Sequence, residues 1–111
     1  MKLPNWINAK IDITKLRNYV LNDGHPTGKF KARVFLSALS LKSSDAEKLS
    51  NEILKGLGQS EAFSGHTDEY GTRYFVDINI SNFNQKATVR TVWIILKNEE
   101  FPRLITCYVK T

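Results

Sequence analysis

His25 lies in a Gly24-His25-Pro26-Thr27-Gly28 loop, and Lys31 follows six residues later with Lys29 and Arg33 on either side of it. An imidazole titrates near neutral pH, so a loop histidine can take up or release a proton during a reaction. Lys31 stands where a helix begins, so it could meet a phosphate through its own charge and through free backbone N–H groups. These residue types suit cleavage of RNA without a metal. The ribose 2′-hydroxyl supplies the nucleophile, and the protein need add only a base, an acid and positive charge. Each residue also has a plainer reading. A histidine before proline is commonly an exposed turn residue, a surface lysine is commonly just solvated, and Gly28 can serve the turn alone.

The rest of the inventory narrows the chemistry. There is no Gly-rich nucleotide fingerprint, no phosphate loop and no Gly-x-Ser-x-Gly elbow. A cofactor-dependent enzyme or a triad hydrolase is therefore disfavoured, and no cofactor is expected. Cys107 is the single cysteine and there are two histidines, so no internal disulfide forms and no metal site of the common zinc type is expected. His66, in a polar Gly65-His66-Thr67 turn, is the second acid/base candidate or simply an exposed residue. The chain has no apolar run of about 18 residues and opens without an apolar leader, so neither a membrane span nor a signal peptide is expected. A reducing, cytoplasmic setting follows. The formal net charge of +5 points to an anionic partner, either RNA or an acidic protein.

These residues need a scaffold, and 111 residues suffice for one domain, 1–111. Ile13, Leu16 and Val20, with Tyr19 beside them, recur at helical spacing behind Asp12 as a possible N-cap. A second helix starts near Lys29 to Lys31 and lines up Ala32, Phe35, Leu36 and Leu39. Ser44-Asp45-Ala46-Glu47 reads as a capping box ahead of Leu49, Ile53 and Leu57, with Gly58 closing the third helix. From Glu61 the period changes to that of strands: a weak strand over 61–65, then Tyr74, Val76, Ile78 and Ile80 alternating on one face. Strands over 88–96 and 103–109 complete the pattern. Helices followed by meandering strands predict an α+β fold, with N-terminal helices packed on one face of a small antiparallel sheet of three to five strands.

Such a sheet leaves one face open for a ligand. In the last strand Thr106 and Tyr108 point the same way, opposite Ile105, Cys107 and Val109. In the strand before it Thr91 and Trp93 share one face while Arg90, Val92 and Ile94 share the other. If Val92 and Ile94 face the core, Thr91, Trp93, Thr106 and Tyr108 make a polar and aromatic platform; otherwise they are cross-strand packing pairs. Arg73, Asp77 and Arg90 read either as an ion-pair set or, for the two arginines, as contacts to a substrate.

The runs Leu21-Asn22…His25-Pro26…Gly28-Lys29…Lys31-Ala32, Asp68-Glu69-Tyr70-Gly71, Val89-Arg90-Thr91-Val92-Trp93 and Pro102-Arg103-Leu104-Ile105-Thr106-Cys107-Tyr108 resemble an uncharacterised prokaryotic domain family. Its members stand alone or form the C-termini of polymorphic toxins. The layout is also similar to the barnase–EndoU–colicin–RelE group of metal-independent ribonuclease toxins. By that resemblance His25 is base or acid, Lys31 the phosphate cation, Thr106 or Thr91 a phosphate or base contact, and Tyr108 a stacking or orienting group. Lys29, Arg73, Arg90, Thr91 and Trp93 complete the expected substrate contacts. The implied protein is a toxin-like ribonuclease held in check by an acidic partner. The alternatives are a non-enzymatic module of a two-protein, toxin–antitoxin-like pair, or a small RNA-binding domain stacking bases on Trp93 and Tyr108.

Overall fold

A computed structural model describes residues 1–111. Three helical segments precede a four-stranded antiparallel meander, β1 (Ala62–Thr67), β2 (Gly71–Asn82), β3 (Gln85–Leu96) and β4 (Arg103–Val109), with neighbours in that order. α1 (Ile13–Lys15) runs straight into a π-helical turn, Leu16–Val20. Asp12 caps it, its carboxylate accepting the Thr14 backbone N–H at 3.0 Å. α2 (Lys29–Leu39) buries Ala32, Phe35 and Leu39. Leu36, expected on the same stripe, is instead half-exposed beyond its rim. α3 (Ala46–Leu57) buries Leu49, Ile53 and Leu57 as its spacing requires. Its start differs from the expected Ser44–Glu47 box: a 3-10 turn, Ser43–Asp45, comes first, and the Asp45 carboxylate accepts the Lys42 N–H at 3.0 Å.

The helices cover one face of the sheet, and Val76, Ile78 and Ile80 of β2 point into the core they form. β3 turns Val89, Thr91 and Trp93 into that core, and Thr91 and Trp93 are both 0% exposed. The face carrying Arg90, Val92 and Ile94 is the open one. The four-residue platform anticipated from the sequence therefore does not form. Trp93 donates its indole N–H to the Thr91 hydroxyl at 2.7 Å, and that hydroxyl donates to the Val76 carbonyl at 2.7 Å. Neither residue can touch a substrate; they are a hydrogen-bonded pair that lets a large indole be buried.

β4 departs from strict alternation. Val92 pairs with Thr106 but Trp93 pairs with Leu104, which leaves Ile105 as an extra, bulged residue. The bulge turns Leu104 into the core together with Cys107 and Val109, where alternation alone puts it opposite them. Thr106 and Tyr108 stay opposite Val92 and Arg90, on the open side of an edge strand. The N-terminal ten residues close one end of the molecule. The Met1 carbonyl accepts the Ala62 N–H, Leu3 is buried, Trp6 lies against Gly58, and Lys10 bridges in parallel to Arg103 of β4.

Candidate functional site

Lys31 sits in the first turn of α2, so its side chain leaves the helix beside β4, the neighbouring edge strand. Its ammonium lies 3.4 Å from the Thr106 hydroxyl and stands over two rings, 5.5 Å from the centre of Tyr108 and 5.8 Å from that of Tyr19. Both rings present a negative π face to the cation. No carboxylate lies within ion-pair distance of it. Tyr19 in turn meets the His25 ring edge-on, with centroids 4.6 Å apart. His25, Tyr19, Lys31, Tyr108 and Thr106 thus form one continuous cluster. An open recess of about 440 Å³ runs beside it, lined by Lys15, Tyr19, Val20, Lys31, Ile105 and Thr106.

The local backbone explains why His25 is held. Its Nδ1 accepts the Thr27 and Gly28 backbone N–H groups at 3.1 and 3.0 Å, and its carbonyl accepts the Lys29 N–H at 3.1 Å. The ring therefore satisfies donors that the start of α2 leaves unpaired, as a capping side chain does. A neutral ring so held carries its proton on Nε2 and is a donor there. Gly28 is required for this fold-back: a Cβ on it would come within 2.5 Å of the Tyr19 carbonyl oxygen. His25 takes the N–H groups of Thr27, Gly28 and Lys29, while those of Phe30 and Lys31 find no backbone acceptor, so the first turn of α2 keeps two open N–H groups.

The other expected residues fall elsewhere. Arg90 and Asp77 form a two-bond pair at 2.8 and 3.0 Å, with Lys110 adding a third bond to Asp77 at 3.2 Å. The Arg90 bonds first, and Lys110 after them, hold the Asp77 carboxyl below the usual carboxylate range. The same pairing raises Arg90, and the nearby Tyr108 phenol adds to the effect. Arg90 thus borders the cluster with its charge already engaged. Arg73 is paired with Asp68 at 3.0 Å, and His66 stands 3.7 Å from the same carboxylate. Both belong to the β1–β2 side of the sheet. Three strand spacings, about 14 Å, separate β1 from β4, so His66 is no partner for His25. Lys29 leans over Phe30, 5.2 Å from its ring centre. Beneath the cluster Cys107 is fully buried, and burial pushes its thiol up to about 12; it is no nucleophile. No three histidine, cysteine, aspartate or glutamate side chains are grouped to hold a metal ion.

Tyr19 is the member that sequence reasoning missed. Its position shows only helical periodicity, and its contact with both His25 and Lys31 depends on how the π-helical turn Leu16–Val20 docks against α2. The family match accounts for the chain as a whole: a family model, Domain of unknown function (DUF6883), matches residues 2–111. The chain belongs to this family. No curated protein and no solved structure matches it. That family description assigns no activity, so the chemistry of the DUF6883 cluster has to be argued from its own residues. No helix is long and apolar enough to cross a membrane.

Proposed function

We propose that this domain is a toxin-type ribonuclease that cleaves RNA without a metal at the cluster around Lys31. The observation that carries this reading is the ammonium of Lys31, half-buried between two tyrosine rings, bonded to Thr106 and lacking any carboxylate. A cation so placed keeps its charge available to an anion at low desolvation cost. The net charge of +5 favours RNA as the source of that anion. The resemblance drawn from the sequence to the metal-independent ribonuclease toxins supports the same reading.

In the reaction the 2′-oxygen bonds to phosphorus and the bond from phosphorus to the 5′-oxygen breaks. The 2′-hydroxyl proton ends on the departing 5′-oxygen, leaving a 2′,3′-cyclic phosphate and a 5′-hydroxyl. Lys31 neutralises the charge that builds on the non-bridging oxygens. The Tyr108 hydroxyl both donates and accepts and takes the proton relay, while Thr106 positions Lys31. His25 contributes Nε2–H as a donor to a phosphate oxygen. Acting as the base at Nε2 would need the opposite tautomer and the loss of both backbone bonds to Nδ1.

That engaged Nδ1 favours a second reading, in which the same cluster binds RNA, or an acidic partner of a two-protein pair, without catalysis. Incubation with tRNA and ribosomal RNA in chelator separates the two. Discrete products ending in 2′,3′-cyclic phosphate, formed about 100- to 1,000-fold more slowly by Lys31→Ala, support the ribonuclease. Intact RNA with the wild-type protein overturns it and leaves the binding module.

A further inference from the structure

A second recess, of about 290 Å³, meets the first at Lys31. Phe30, Lys31, Val34, Tyr108, Val109 and Thr111 line it. Phe30 is 63% exposed and takes no part in the core. Its ring stands between two cations instead, 5.2 Å from the Lys29 ammonium and 5.8 Å from the Arg33 guanidinium. Neither cation has a carboxylate partner. Here an apolar wall with an exposed aromatic ring borders three unpaired positive charges. Folding does not require that combination, whereas a nucleotide matches it: a flat π system attached to a phosphate.

We propose that the recess between Phe30 and Tyr108 is a stacking subsite that takes one unpaired base of single-stranded RNA, adjacent to the phosphate held by Lys31. The proposal rests on the RNA reading of Lys31 and names the form of RNA. A phosphate at Lys31 leaves its neighbouring base beside this recess, and Lys29 and Arg33 meet the next phosphate along. The Val34 and Val109 side chains offer the base no hydrogen bond and the aromatic rings meet its flat face, so recognition rests chiefly on stacking and tolerates sequence. In a duplex the bases are already stacked and paired, and none is free to enter.

Fluorescence anisotropy with 2′-O-methyl RNA, which cannot be cleaved, tests this. Three probes are compared: a labelled single strand, the same strand annealed to its complement, and an abasic strand of equal length. The wild-type protein is expected to prefer the single strand to the duplex. Phe30→Ala should weaken the single strand about 5- to 150-fold, the range of one base stacked on an aromatic ring. It should leave the abasic strand unchanged, and Phe30→Tyr should restore tight binding. Because Phe30 is outside the core, the variant's circular dichroism melt should match the wild type. Equal single-strand affinity in wild type and Phe30→Ala overturns the base subsite. If Lys31→Ala then weakens both the intact and the abasic strand, the phosphate reading stands without it. Absence of binding to any strand overturns both.

Discussion

The His25 imidazole serves as a cap through Nδ1 and, in the proposed reaction, as a hydrogen-bond donor through Nε2, and substitutions separate the two duties. Alanine removes both; it should cost about 1 kcal/mol of stability, the usual value for losing a capping side chain, read in urea unfolding. Asparagine at this position keeps an oxygen that can accept N–H groups two and three residues on. His25→Asn is therefore expected to restore the stability that His25→Ala loses and still fail to cleave RNA. Full cleavage by His25→Asn would reduce His25 to a cap. The sequence marked this residue, Lys31, Thr106 and Tyr108 by type and position, and those four do come together. It did not reveal Tyr19, the ring between the histidine and the lysine, because that contact exists only once two helices have docked. Nor did it reveal that the histidine's own loop occupies one of its nitrogens.

Among the elements, legibility followed the strength of the periodic signal. β2 alternates cleanly, so its buried face was readable, and α3 was readable for the same reason at helical spacing. β3 is apolar on both faces at its centre and gave no preference. Trp93 lies wholly on the helix-covered side, and Thr91 on the same face supplies the acceptor that its buried indole N–H needs there. Thr91→Val tests that account: it keeps the shape but removes the acceptor, leaving a buried N–H unpaired. A loss of about 1–3 kcal/mol with an unchanged urea m-value is expected. The bulge at Ile105 was invisible for another reason. One inserted residue shifts every position before it to the other face, and nothing in Leu104-Ile105-Thr106 announces the insertion. Without it Leu104 would face solvent.

For the whole molecule, charge governs both partners and pH response. Lys31 on one phosphate and Lys29 with Arg33 on the next neutralise two phosphates of a single strand and give a slope of about −1.4 in log affinity against log salt, measurable by titrating salt in the binding assay. Asp12, Asp68, Asp77 and Glu99 all sit below their ordinary values of 3.8 or 4.5, chiefly through hydrogen bonds from Thr14, Tyr70, Arg90 and Arg103 respectively. Since the folded values are depressed, the stabilisation is complete above the unfolded values and is lost as pH falls from them through the folded values. The melting temperature should accordingly vary little with these groups between about pH 5 and 7 and fall below about 4. Asp77→Asn should flatten part of that fall, at a cost of about 1 kcal/mol near neutrality for a partly exposed pair. Residues 1–10 have a further consequence, one of timing. They touch β1 through Met1 and β4 through Lys10, so the segment ahead of the helices seals the last strand of the sheet. Closure of this belt joins segments far apart in sequence, and such contacts are slow to form. Until it closes both outer strands are free to pair with other chains, so a refolding molecule is most exposed to aggregation just before the belt forms.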